Sequence, residues 1–330
     1  MEEELTPEVR LQGARDWAAS IQTRFAERFA GTLARRMSAS PANIQADHLA
    51  RMREAVHRSS ADMTNFFDEM LAKPTSPKIT EFDEPRTREL IQNMVDEVSE
   101  TMALAKLTPG KRKLLVSSVP SGLVNAFCCA NTWDDEYHHV FVDSDLLIFC
   151  SSLAKIVGTC FTRGVLDGQA ISFEDRRIVR NARSPDICHR IEDMFAAMVF
   201  LGTVRGSEPW IPDAEALTLY ISINVAMERF VIAHELSHLM LGHLENAAES
   251  VAVQDEAFID TEATIYSHQA EFEADAAGAI IATETAVRLG YSNALTSVAP
   301  YIFLKGIEVL EECQSLHESA SGGIDSTHPS

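Results

Sequence analysis

Apolar side chains at Trp17, Ile21, Phe25, Phe29 and Leu33 recur every fourth residue and draw one stripe along a helix expected from Pro7 to Met37. Arg10, Arg15, Arg24, Arg28, Arg35 and Arg36 surround that stripe. A second helix is expected from Pro41 to Leu71, ending before the breaker-rich run Lys73-Pro74-Thr75-Ser76-Pro77. Ile91, Met94, Val95, Val98 and Met102 then mark a helix from Pro85 to Lys106, with Pro85 suited to its first turn. Three strands follow, Lys113 to Val119, Leu123 to Cys129 and Tyr137 to Val142, rich in the β-branched and aromatic residues that favour a pleated surface. From Asp143 to Tyr220 the pattern is helical around a polar interval from Asp167 to Asp186. Further helices are expected over Ala226 to Leu244, Glu271 to about Leu289, and Ser292 to Leu316. The expected class is therefore α+β and mainly helical, with a helical region over 1–84 and a body over 85–330.

Composition narrows the partners more than the fold. With 330 residues and 46% hydrophobic content the chain can bury a large core. A formal net charge of -21 argues against nucleic acid and against anionic membrane surfaces as electrostatic partners. The first amphipathic helix is accordingly read as packing on its own domain or on a second copy of the chain, a homo-oligomer contact, ahead of a membrane surface. Met1-Glu2-Glu3-Glu4 has neither the basic nor the apolar region of a secretory signal. No transmembrane segment is expected, because the closest run, Leu146 to Phe161, is interrupted by Lys155 and serines. The six cysteines show no C-x-x-C spacing and read as reduced core residues, so the expected compartment is cytoplasmic.

The chemistry lies in the apolar helix around His234, Glu235, Leu236, Ser237 and His238. Two histidines four apart project from one helix face, one turn above each other, so their ring nitrogens can converge on one ion. Glu235, next to the first histidine, is placed to reach a water on that ion and act as general base. Buried without a metal or hydrogen bonds, two imidazoles and a carboxylate would cost several kcal/mol, which weighs against a purely structural helix. By contrast His138 and His139, adjacent in a strand, point to opposite faces and are not expected to chelate together.

A catalytic zinc site of this kind takes three protein ligands and leaves a fourth position for water. The metzincin continuation is excluded, since Leu241 and Leu244 stand where glycine and histidine would be required. His243 is one residue out of register, about 100° around a helix, and is expected to sit at the helix C-terminus and interact with its dipole. Glu271, on the alanine-rich helix downstream, is assigned as third ligand. Asp275, sharing its face at i, i+4, is assigned to orient a ligating imidazole. Glu273, about 200° around from Glu271, is expected to point away.

These motifs resemble the gluzincin peptidases of the HtpX and CAAX prenyl protease group, in a soluble form. H-E-x-x-H is matched by His234 to His238 and E-x-x-A-D by Glu271 to Asp275. Asn125, Ala126 and Phe127 resemble the family's N-A-F strand, and Val140 to Leu147 a following strand ending in a Leu-Leu pair. Ser326-Thr327-His328-Pro329 resembles its S-T-H-P motif. The resemblance implies a zincin-like fold with a small sheet beside the H-E-x-x-H helix and one Zn²⁺ per chain. It further implies peptide-bond hydrolysis, an edge strand over Asn125, Ala126 and Phe127 that receives a polypeptide substrate, and His328 as a fourth ligand or oxyanion stabiliser. The long interval between Phe127 and His234 then reads as a helical insertion around 150–220. Two other readings stand beside a general endopeptidase: a narrow regulatory or phage-defence protease cutting one cellular protein, and a metal-stabilised scaffold that binds peptides without cutting them.

Overall fold

A computed structural model describes residues 6–37, 41–59, 61–73, 75–78, 83–108, 112–122, 124–130, 136–162, 174–244 and 268–321. Its sheet has three strands, β1 (Lys113–Val119), β2 (Ala126–Ala130) and β3 (Tyr137–Asp143), in the order β1-β3-β2. β1 runs parallel to β3, with Leu115 opposite His139, and β2 runs antiparallel to β3, with Cys128 opposite Val140. β3 is buried along its whole length because it is central in the sheet and covered on both faces.

One face is covered by α1 (Pro7–Met37). Its four-residue stripe lands on the strands: Trp17 lies 6.1 Å from the Phe141 ring and Phe25 lies 5.4 Å from Phe127. Ala18 and Ile21 close this second core against Val119 and Cys129. The buried Gln22 amide donates to the Ser118 carbonyl, so the helix is registered on the sheet as well as packed against it.

The other face belongs to the main core, built from α4 (Pro85–Leu104), α5 (Ser144–Thr162) and α8 (Ala214–Met240). Pro85 starts α4 in its first turn, where a missing N–H costs nothing. α8 is apolar almost all round, from Ala216 to Leu239, because sheet, α5 and α9 (His268–Arg288) surround it. Both α5 and α8 are long and apolar enough to match a membrane span, contrary to the sequence expectation, yet 67% of each apolar window is buried within the fold. Core burial accounts for that composition.

Several boundaries differ from the sequence reading. Leu146 and Leu147 belong to α5, not to a strand, since β3 ends at Asp143, whose Oδ1 accepts from the Asp145 N–H at 2.6 Å and caps the helix start. The second N-terminal helix is two, α2 (Pro41–Ser59) and α3 (Ala61–Ala72). The region read as an insertion contains α5, α6 (Asp175–Ala182), α7 (Pro185–Ala196) and a π turn at Ala197–Leu201, with α5 at the centre of the core. The last helix is divided into α10 (Asn293–Thr296) and α11 (Ala299–Ser321), because Pro300 cannot continue a preceding helix but fits a first turn.

Candidate metal centre

α8 and α9 meet face to face along a seam of small residues, with Ala274, Gly278 and Ala282 on the α9 side. A β-carbon on Gly278 would stand 2.9 Å from the Cα and backbone nitrogen of His234. Only a hydrogen fits there, and this close approach brings Glu271, in the first turn of α9, over the two histidines of α8. Glu271 also gains from its place at a helix N-terminus, where backbone N–H groups favour a negative charge.

Three donor atoms converge. His234 Nε2 and His238 Nε2 are 3.1 Å apart, and Glu271 Oε2 lies 3.3 Å from the first and 3.7 Å from the second. Donors bound at about 2.0–2.1 Å to a tetrahedral ion would stand about 3.3 Å from one another. The cluster has the spacing of one face of that tetrahedron. No family model, curated protein or solved structure matches the chain. The donor set itself, two imidazoles and a carboxylate, is the kind that holds Zn²⁺ while leaving a coordination position open.

Each imidazole is held from behind through its other nitrogen. His234 Nδ1 lies 2.9 Å from Asp275 Oδ1, and His238 Nδ1 lies 3.0 Å from His243 Nδ1. His243 continues the chain of contacts, with Nε2 3.3 Å from Glu273 Oε2, and Glu273 accepts from Gln269 at 2.6 Å. His243 and Glu273 correct the expectations made for them. α8 ends at Met240, and Gly242 adopts φ +73°, the left-handed conformation of a C′ glycine, which turns the chain back so that His243 is buried beneath His238. Glu273 does lie outside the three-donor cluster, but it faces His243 instead of pointing away. The signal that could have found this pair is the Leu241-Gly242-His243 run at the helix end: a left-handed glycine there reverses direction within one residue.

The carboxylates beside the rings dominate the electrostatics of the cluster. Burial alone would lower the His234 imidazole, but Asp275 and Glu271 beside it outweigh burial and raise it to about 10. Burial would raise the Glu271 carboxyl, yet the hydrogen bonds from His234 and His238 prevail and bring it down to about 2, so it is ionised at neutral pH. Glu235 is raised, first by burial and then by Glu271, against the opposing pull of His234, His238 and the Cys128 backbone.

That last residue ties the sheet to the site. Cys128 of β2 packs on α8, its thiol donating to the Glu235 carbonyl at 3.3 Å. β2 pairs only with β3 among the described residues, so its other edge carries no strand there. Asn125 precedes β2 and accepts from the Asp143 N–H at 3.0 Å. Ala126 is buried, and Phe127 stacks on Phe141 at 5.0 Å on the face away from α8. His328 and the rest of the Ser326 to Pro329 run lie outside the described residues.

Proposed function

We propose that the protein is a zinc-dependent endopeptidase with a zincin-like fold, of the gluzincin kind that its motifs resemble. The observation that carries the reading is the set of distances among His234 Nε2, His238 Nε2 and Glu271 Oε2, which suits one tetrahedral ion. When bound, Zn²⁺ supplies a Lewis acid that polarises a carbonyl and lowers the pKa of a water to near neutrality. His234, His238 and Glu271 would hold it. Asp275 fixes the His234 ring and His243 the His238 ring, so both donors stay aimed without an ordering cost at the moment of binding.

Glu235 is the proton carrier. Its raised pKa makes its carboxylate a stronger base than a solvated glutamate, able to take a proton from water and return it to a leaving amine. The outer edge of β2, tied to Glu235 through the Cys128 contact, offers N–H and C=O groups to an extended chain. Backbone pairing of that kind suits a polypeptide substrate and leaves side-chain choice to the neighbouring surface.

The test is Glu235→Gln, which keeps the shape and removes the base. Metal content by elemental analysis should stay at one Zn²⁺ per chain, while cleavage of unfolded casein falls by about 10²–10⁴-fold. Wild-type-like cleavage by the purified variant would remove Glu235 from its role. A zinc-loaded wild type that cuts neither casein nor any protein in a proteome-wide cleavage map would leave the peptide-binding scaffold in place of the protease.

A further inference from the structure

A cavity of about 650 Å³ lies away from the histidine cluster, between the N-terminal helices and the core. Leu49, Met52 and Phe67 of α2 and α3 form one wall, and Leu147 and Ile148 of α5 form the opposite one. Lys155, also on α5, lines the cavity although only 8% of it is exposed. Its ammonium stands 5.6 Å from the centre of the Tyr220 ring, and no carboxylate among the described residues pairs with it. Beside it the Ser151 and Tyr220 hydroxyls share a hydrogen bond at 3.1 Å, leaving donor and acceptor capacity toward the cavity.

The neighbouring charges have their own partners. Arg205 is bound by Asp145 at 2.7 Å and by Glu84 at 3.3 Å. Glu228 accepts from Asn224 at 3.0 Å and lies 3.8 Å from Arg229, and burial raises it to about 7. Glu208 lies 3.9 Å from Arg58. Arg86 donates to the carbonyls of Met70, Leu71 and Lys73. Among the described residues Lys155 is left as a buried cation without a counter-charge, and burial pushes it down to about 8. Buried ammonium groups are rarely kept unpaired, because removing one from water without a counter-charge is costly.

We infer that this cavity binds an amphipathic monoanion, an aliphatic chain ended by a carboxylate, with the carboxylate on Lys155 and the chain between α2, α3 and α5. The aliphatic walls suit a hydrocarbon chain, and the volume lies in the range of small-molecule sites. Lys155 set among Glu84, Glu208 and Glu228 favours a single negative charge over a dianion such as phosphate, and Arg86, engaged by three backbone carbonyls, is not aimed at the same anion. The site shares no residue with the proposed zinc centre and its occupancy does not depend on that reading.

Calorimetric titration of the full chain with octanoate, octanol and octylamine separates charge from chain. Octanoate should bind saturably at one site, with octanol about 10-fold weaker and octylamine weaker still, the difference expected for a charge-assisted contact. Lys155→Met should weaken octanoate about 10-fold while changing octanol by less than about two-fold. It should also unfold at or above the wild-type temperature at pH 7, since it removes a buried uncompensated charge. Leu49→Trp, which fills the cavity from the α2 side and keeps the lysine, should weaken octanoate and octanol together and decides the matter if Lys155→Met does not fold. Equal binding of octanoate and octanol by wild type, wild-type affinity in Lys155→Met, or non-saturating uptake would each overturn the assignment.

Discussion

Two pairs of histidines, one on α8 and one on β3, behave in opposite ways in this molecule. His238 on α8 and His139 on β3 are equally hidden, at 1% and 0% exposure. At the α8–α9 seam the ring nitrogens of His234 and His238 all have partners, and the nearby carboxylates raise His234 to about 10. On β3, Nδ1 of His138 and both nitrogens of His139 have no hydrogen-bond partner among the described residues, and burial lowers both rings to about 4. His139 instead lies 4.7 Å from Trp17 and 5.7 Å from Phe141, ring against ring. Burial therefore does not identify a site. What separates the pairs is whether carboxylates and a second imidazole are brought to the rings, which on α8 they are and on β3 they are not.

The strongest way to break this contrast is to remove one ring from each pair. His234→Ala or His238→Ala should abolish stoichiometric zinc and peptidase activity together, because two remaining donors do not make a catalytic site. His139→Leu should keep full zinc content by the same elemental analysis. Metal loss in His139→Leu, or metal retention in His238→Ala, would mean that the two pairs had been assigned the wrong way round.

A smaller effect sharpens the same contrast. If partners behind the rings are what make the α8 pair a site, then Asp275→Asn and His243→Leu should each weaken zinc by about 10–100-fold, measured by competition with a chromophoric chelator. Glu273→Gln should cost less, since its carboxylate is exposed and acts only through His243.

Much of this arrangement is legible in the sequence, and the reasons for the gaps are physical. The i, i+4 spacing of His234 and His238, and of Glu271 and Asp275, is a property of helix geometry, so spacing alone puts each pair on one face. The stripe from Trp17 to Phe25 likewise announces a helix with one buried side, though not that the sheet is what buries it. His243 escapes a reading that extends helix angles past Gly242, where the left-handed turn ends the helix, and Glu273, placed off the Glu271 face by its own helix, gains a partner only because that turn brings His243 to it. Leu146 and Leu147 are placed in a strand by the family resemblance alone, whereas the residue pattern from Asp143 onward reads as helix, and helix is what forms there. Lys155 looks like an interruption in an apolar stretch, and only the packing of α2 and α3 over α5 makes it the polar end of a cavity.

Gly278 tests whether the α8 pair depends on the distance between helices. Gly278→Ala puts a methyl 2.9 Å from the His234 backbone, and backbone cannot swing aside as a side chain can. A loss of about 1–3 kcal/mol is expected in denaturant unfolding, with weaker zinc binding because Glu271 is carried away from the rings. Unchanged stability and unchanged affinity together would show that α9 has room to move that the seam does not display.

The least perturbing change at neutral pH is His139→Leu read as a function of pH. In the folded chain His139 stays neutral down to about 4, whereas an unfolded histidine takes its proton near 6.5. Between those values the unfolded state binds more protons, so this residue subtracts from wild-type stability as pH falls from about 6.5 toward 4, and subtracts nothing above 6.5. At pH 7 the variant should match wild type within about 1 kcal/mol, since an orphaned imidazole is exchanged for an apolar group of similar size. Below pH 6.5 its unfolding free energy should rise progressively above the wild-type value, while the slopes due to His138 and His48, also lowered by burial, persist in both proteins. Parallel curves for wild type and variant would mean that His139 finds a proton partner after all, and that the unpartnered character of the β3 pair is not what distinguishes it from the pair on α8.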